Sequence, residues 1–431
     1  MTTVEIDILE PAQRVTESAT GPIVVMKFGG SSLADPTRIK SVAQRLVSAK
    51  EGGAHVVCIV SAMGDTTDEL LALACEVSRR PPLRELDMLL SVGEQISAAL
   101  VAMAVGALGH ESISLTGPQA GVLTDERHGK AKIVDIQTLR IRSELERGKI
   151  VLVTGYQGLG GDEITTLGRG GSDATAVAIA GALGATSCEI YTDVDGVYSA
   201  DPRAVVKARK LHFADYDEML ELAAAGAGVL QLRAVEIAQC HGVELHVRSA
   251  FDDAEGTRVG AREESPFERP LVTGVSRSSG DALYRVEDAD QSTLFAALAA
   301  SSLNVDTIIQ IDSEIVFSTS AGDRVEVARI LVGLGLRFTE RLDLGRVSIV
   351  GGGMTSHPGV AARVFACLRE LGLEARFVST SPIKISFYVP QTALDVAVRA
   401  LHESLGLDRL PEHGVPETPE SEPNRAADVP A

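Results

Sequence analysis

Basic residues are in short supply: 40 Lys and Arg stand against 59 Asp and Glu, a formal net charge of -19. Such an excess of acid repels nucleic acid and anionic lipid, so polyanion binding is excluded and no membrane association is expected. Any phosphate site must then be assembled from a few placed cations and backbone N–H groups. Cysteine is equally sparse. Cys58, Cys75, Cys188, Cys240 and Cys367 are scattered, with no CxxC pair and no histidine at metal-ligand spacing. That pattern excludes a disulfide framework or a zinc site and predicts buried free thiols in a reducing compartment. No basic-then-apolar leader is seen, and no run approaches the roughly 20 apolar residues that span a bilayer. A cytoplasmic protein is expected. Neither GxxxxGK[ST] nor a GxGxxG opening a βαβ unit occurs.

What is present is length and apolar content. At 431 residues, 45% hydrophobic and 23% charged, the chain has the make-up of a folded protein with two or three cores. Residues 1–21 are polar and mixed and read as a disordered extension. From Ile23 to about 262, short β-branched runs alternate with amphipathic helical stretches: His55–Val60 then Asp68–Arg79, Lys149–Val153 then Ser172–Leu183, then Cys188–Tyr191. Strands separated by helices predict a parallel α/β sheet. Residues 255–270, rich in Gly, Pro, Arg and Glu, read as a seam. Beyond it, residues 271–345 and 346–408 repeat one grammar of strand, turn, helix (Thr293–Ala300; Gly359–Glu370) and strands, which suggests a paired α+β module. The Pro- and Glu-rich residues 409–431 are expected to be disordered.

Three stretches carry chemistry. Lys27-Phe28-Gly29-Gly30-Ser31-Ser32 ends the first strand, where two glycines let consecutive N–H groups face phosphate oxygens and Lys27 adds a cation. The same turn also serves many proteins as a plain strand exit. Leu167-Gly168-Arg169-Gly170-Gly171-Ser172-Asp173 places a glycine-rich loop at a helix N-terminus, an anion site by virtue of free N–H groups and the helix dipole. Arg169 offers a planar fork for a carboxylate; the bland alternative is a serine cap beside a solvated arginine. Tyr191-Thr192-Asp193-Val194-Asp195-Gly196-Val197-Tyr198, followed by Asp201-Pro202-Arg203, can form a nucleotide shelf or an ordinary Asp-Gly turn.

In order and spacing these stretches resemble the aspartate kinase family, together with Val60-Ser61-Ala62-Met63, Gly93-Glu94, Gly155-Tyr156-Gln157-Gly158 and Thr165-Thr166. The resemblance runs from about residue 23 to about 408. It implies an amino-acid kinase fold, a mainly parallel eight-stranded sheet between helices, followed by two ACT-like ferredoxin-type units. It also implies transfer of a phosphoryl group from ATP, with Mg2+ carried on the nucleotide and no protein metal ligand, to the β-carboxylate of L-aspartate, the first step toward lysine, threonine and methionine. In that reading Lys27 meets the transferring group and Asp173 orients the cations. Glu94 holds the substrate ammonium, Arg169 its α-carboxylate, and Ser61, Thr67 and Ser172 line the pocket. Gly29, Gly30, Ser31, Thr192, Asp193, Asp195, Tyr198 and Arg203 form the nucleotide side. No acid–base pair is required, because an ionised carboxylate is already a nucleophile.

Two departures from the family pattern bear on activity and control. Gly228, in Ala225-Gly226-Ala227-Gly228-Val229-Leu230, stands where the family has a lysine facing the ATP phosphates, so weakened turnover is expected, with Lys207, Arg209 or Lys210 as substitutes. In the first ACT-like unit, Gln291 replaces a glycine at a helix start, and Pro382 replaces a glutamate later. Asp288, Asn304, Asp306, Gln310 and Ile383 fit the family's effector positions for lysine or threonine, with feedback expected to be weak or altered. A homodimer through the ACT-like units is expected with or without an effector. Two further readings stand beside a working enzyme: a specialised relative with relaxed control in a dedicated pathway, and a catalytically inactive regulatory partner.

Overall fold

A computed structural model of the chain describes residues 21–226, 228–262, 272–352, 354 and 359–409. The extension 1–20, much of the seam and the tail beyond 409 lie outside the described residues. The chain divides into two compact units: 1–197, 212–216 and 228–262, and 198–211, 217–227 and 263–431.

In the first unit the elements run β1 (Ile23–Phe28), α1 (Pro36–Glu51), β2 (His55–Val60), α2 (Thr66–Val77), α3 (Leu83–Leu90), α4 (Val92–Ala107) and β3 (Ser112–Leu115). They continue through β4 (Val122–Thr124), β5 (Ile133–Ile136), α5 (Leu139–Glu146), β6 (Ile150–Thr154), β7 (Gln157–Gly160), β8 (Glu163–Thr166), α6 (Gly171–Leu183) and β9 (Ser187–Thr192). Last come β10 (Phe213–Asp215), α7 (Tyr216–Ala224), which continues into the second unit, then α8 (Leu232–His241), β11 (Glu244–Ser249) and β12 (Thr257–Gly260).

Eight strands form one sheet in the order β10-β12-β11-β9-β1-β2-β6-β3, parallel at every pairing except β11 with β12. The central strands are near-continuous apolar runs because helices cover both faces. Met26 and Phe28 share a core with α1 and α4. By the two-residue alternation of a strand, Lys27 faces the other way, toward α6. A smaller sheet, β5-β4-β7-β8, stands apart.

Helix α1 starts where the sequence says it should: Asp35 caps it by accepting from the N–H groups of Thr37 and Arg38, with Pro36 in the first turn. Helix α6 is built of small residues and buried nearly all round, and left-handed glycines, Gly170 and Gly184, bound it.

Two expectations need correction here. The helical stretch Leu83–Ala107 is, by length and composition alone, apolar enough to cross a membrane. Its charges sit mainly at one end, and Glu94 is the one charged residue between Asp87 and Ala107. Helix α4 nevertheless packs on α1, β3 and β6 as a core helix does. Of the cysteines, Cys58, Cys188 and Cys367 are buried, but Cys75 and Cys240 are exposed, on the outward sides of α2 and α8.

The second unit holds two four-stranded antiparallel sheets. One is β15 (Ile308–Ile311), β16 (Glu314–Ser320), β14 (Asp281–Glu287) and β17 (Arg337–Arg341) in that order, with α9 (Gln291–Ala300) and α10 (Arg324–Gly333). The other orders β13 (Gly274–Ser278), β18 (Leu344–Val350), β20 (Lys384–Pro390) and β19 (Arg376–Ser381), with α11 (Gly359–Glu370) and α12 (Leu394–Ser404). A boundary at 345/346 does not follow this second sheet. Strand β13 precedes the first sheet in the chain yet pairs with β18, so the second sheet takes its fourth strand from upstream.

Arg346 ties the two sheets together. Its side chain is 6% exposed and forms ion pairs with Asp281 of β14, at 3.1 Å, and with Asp306. It also donates to the Ala224 carbonyl at the end of α7. Leu283, Val316, Leu344 and Tyr388 form an apolar cluster shared by the sheets.

Candidate active site

The site grows from the C-terminal ends of β1 and β2. Lys27 points from β1 toward the first turn of α6, where its ammonium lies 2.6 Å from an Asp173 carboxylate oxygen. Both residues are buried, a position an unpaired charge does not tolerate. The turn after β1 is tightly packed: a Cβ on Gly30 would meet the Ala62 and Gly64 carbonyls at 2.9 and 2.8 Å. The Gly30 carbonyl accepts from the Gly64 N–H, and the Ser61 N–H donates to the Phe28 carbonyl. Gly29 is a neighbour of the Lys27 ammonium and donates to the Tyr191 carbonyl of β9. Ser31 lends its carbonyl to Arg38 of α1.

Glu94 enters from the first turn of α4 and is 3% exposed. One carboxylate oxygen accepts from the Ala62 N–H at 3.2 Å, while the other is buried without a hydrogen-bond partner. Gly93 lets α4 come this close, because a Cβ there would lie 2.8 Å from that of Ala62. Burial pushes the Glu94 carboxyl up to about 7, against the lowering effect of its backbone hydrogen bonds.

Gly155 after β6 permits contact with the start of α6: a Cβ there would stand 2.6 Å from the Ser172 hydroxyl. Beside it Tyr156 holds the left-handed conformation, φ 70°, a backbone state that costs on the order of 1 kcal/mol in a non-glycine residue. Its carbonyl accepts from the Leu167 N–H, so this strained residue fixes the loop that leads to Arg169. Arg169 itself is exposed in that turn, four positions ahead of Asp173. Thr67 is half-buried in the first turn of α2.

At the end of β9 the Thr192 hydroxyl donates to Asp193, which is exposed, and Asp195 is half-buried. Tyr198 and Arg203 belong to the second unit, where Tyr198 bridges to Lys210 and Arg203 is bonded to Asp201. Gly228 lies in the first unit, exposed, with φ 67°.

The effector positions spread over both regulatory sheets. Asp288 pairs with Arg337, Gln291 bonds Gln310, Asn304 is exposed, Asp306 pairs with Arg346, and Ile383 sits at the β19–β20 turn.

Chain reading passed over Asp87, a buried acid in α3 whose carboxylate meets His128, Gly129 and Thr166. A lone acid on an amphipathic helix reads as its solvated face, so no local signal marks it.

Set against known proteins, residues 22–249 match the model of the amino acid kinase family and residues 347–405 that of an ACT domain. The aspartokinase of Geobacillus stearothermophilus is 48% identical over 398 residues, covering 89% of this chain and 97% of that protein. That of Mycobacterium tuberculosis strain H37Rv is 47% identical over 407 residues, covering 89% and 96%. The structure of E. coli aspartokinase III in complex with aspartate and ADP matches at a TM-score of 0.79, with 25% identity over 89% of this chain and all of that one. Sequence, fold and paired domains agree: the chain belongs to the aspartokinase family.

Proposed function

We infer that this chain is an aspartate kinase, which phosphorylates the β-carboxylate of L-aspartate with ATP to give 4-phospho-L-aspartate and ADP. Relatives of this identity do not favour a non-catalytic partner or a specialised paralogue. The observations that carry the chemistry are the buried Lys27–Asp173 pair and the buried Glu94 carboxylate with one oxygen unpartnered.

A β-carboxylate oxygen attacks the γ-phosphorus in line, the bond to the β,γ-bridging oxygen breaks, and ADP departs with that electron pair. No proton moves. Such a transfer needs placement and charge neutralisation above all. Lys27 is proposed to meet the developing charge on the phosphoryl oxygens, with Asp173 holding the ammonium in place. Glu94 takes the substrate ammonium, Arg169 its α-carboxylate, and Ser61, Thr67 and Ser172 line the pocket. Gly29, Gly30 and Ser31 approach the phosphates. Thr192, Asp193, Asp195, Tyr198 and Arg203 are proposed for the nucleotide.

Mg2+ is proposed to arrive on ATP. There it would neutralise phosphate charge. The further proposals are a cytoplasmic homodimer joined through the ACT-like units and weak inhibition by lysine or threonine. Support for weak inhibition comes from Gln291, whose side chain bonds Gln310 at the start of α9.

Hydroxylamine trapping tests the activity. Purified chain with ATP, Mg2+ and aspartate should yield aspartyl hydroxamate, and other carboxylic amino acids much less. Folded protein that gives none would end the proposal. Titrating lysine and threonine in the same assay tests control, and strong inhibition below millimolar concentration would overturn the weak-feedback reading.

A further inference from the structure

We propose that Asp87 is the positioning residue for the Arg169 turn, acting from a different helix to set where the substrate's α-carboxylate is held. The proposal builds on the aspartate kinase reading of Arg169 and extends it to residues that no part of that reading assigns.

Asp87 is 1% exposed on α3. A buried carboxylate persists only when its lone pairs are met by donors, and here three groups meet them. The Thr166 hydroxyl donates to one oxygen at 2.5 Å, the Gly129 N–H lies 3.1 Å from both oxygens, and His128 Nδ1 stands 2.8 Å from the second. The partners come from two separate segments, the β4–β5 loop and the end of β8. Asp87 therefore joins them.

That junction is directly behind the turn that carries Arg169. Thr166 is the last residue of β8, and its carbonyl accepts from the Ala131 N–H at 2.9 Å. Gly168, at φ 76°, lies so near the Gly129 carbonyl that a Cβ would stand 3.1 Å from it. A second clamp closes the arrangement. Arg233 of α8 donates to the Leu167 carbonyl at 3.2 Å and to the Ala131 carbonyl at 3.1 Å, across the same pair of segments. Residues 166–168 are thus held from both sides, and the exposed Arg169 follows them directly in the chain. The direction of its guanidinium depends on the backbone beneath it, and displacements of about 1 Å at such a group are costly in a phosphoryl-transfer site.

The alternative is that Asp87 merely stabilises the fold. Glu144 of α5 provides the control: it is also 1% exposed and also ligated by several partners, Arg147 and Lys149 at 3.0 Å and Arg140 at 3.3 Å. None of these three partners belongs to the Arg169 turn.

The test compares Asp87→Ala, Asp87→Asn and Glu144→Ala in the full chain by steady-state kinetics and amide hydrogen exchange. Asp87→Ala should raise KM for aspartate about tenfold and leave KM for ATP within about twofold. The amides of Ala131 and Leu167 should exchange about tenfold faster. Asp87→Asn, whose oxygen still accepts from Thr166 and Gly129, should recover most of the loss. Glu144→Ala should lower the thermal midpoint without separating the two KM values.

An unchanged KM for aspartate in Asp87→Ala, or a rise in both KM values together, would overturn the proposal. So would an equal rise in Glu144→Ala. Should Asp87→Ala fail to fold, Thr166→Val and His128→Ala each remove one bond and should raise KM for aspartate about threefold, and the absence of a rise in both would defeat the proposal equally. A wild-type chain that makes no hydroxamate would sink the kinase reading alone, because the exchange rates still decide whether Asp87 holds the turn.

Discussion

The Lys27 ammonium and the Asp173 carboxylate form a 2.6 Å ion pair with only 11% and 10% of their side chains exposed. Removing either partner strands a buried charge, at a cost of about 3–5 kcal/mol. Lys27→Met should therefore lower both stability and turnover, the latter by about 10²–10³. The double variant Lys27→Met with Asp173→Leu separates the two effects. Urea denaturation should show it nearer to wild type than either single variant, while hydroxamate formation stays lost. A double variant as unstable as the singles would contradict the pairing argument.

Glu94 predicts a pH dependence whose sign follows from its burial. Its folded-state carboxyl is raised from an ordinary 4.5 to about 7. The folded chain thus holds this proton more tightly than the unfolded chain does, and the stability linked to it is present below about 4.5 and fades as pH climbs through about 7. Only the ionised form attracts an ammonium, so KM for aspartate should fall over the same rise in pH. Glu94→Gln should abolish this slope and raise KM throughout. A slope that survives in Glu94→Gln would assign it to another group.

Gly228 tests the missing lysine. Its left-handed backbone, φ 67°, costs a side chain about 1–2 kcal/mol. Gly228→Lys should gain turnover by about tenfold or more while lowering the thermal midpoint by about 2–4 °C per kcal/mol. Gly228→Asn tolerates the same conformation without a charge and should gain nothing. An unchanged rate in Gly228→Lys would refute a phosphate-facing role for this position.

Arg346→Met removes a guanidinium shared by Asp281, Asp306 and the Ala224 carbonyl. Asp281 is left nearly buried, whereas Asp306 is partly solvated, so the expected loss is about 3 kcal/mol. Hydrogen exchange should localise it to β14 and β18 and spare β1 and β2. Uniform loosening of both units would argue against a local tie.

The parts of the fold that were legible in the chain are those with strong local period. His55–Val60 is a strand because five of its six residues are apolar, and Gly359–Glu370 is a helix that buries Val360, Val364, Cys367 and Leu368 on one face. The three- and four-residue strands of β4, β5, β7 and β8 are too short to display any alternation, and the small sheet was missed. Helices Arg324–Gly333 and Leu394–Ser404 also went unmarked. In the site, the glycine loops announced themselves, but the meeting of Lys27 with Asp173 was reachable only through family resemblance, because nothing local links a strand end to a distant helix start. Arg346 and Asp87 left no trace for the same reason: each gathers partners from separate stretches of chain.

Strand β13 carries one more consequence. Because the last sheet is completed by residues made long before the rest of it, a ribosome has already released Gly274–Ser278 while their partner β18 is still untranslated. The edge waits, unpaired, through the synthesis of an entire neighbouring domain. A fragment beginning at 346 would lack its outermost strand, and one ending at 345 would present that strand with nothing to join. Dissection of the regulatory half therefore has to keep β13 with everything through α12, together with Ala200, Ala204 and Val205, which share that sheet's core.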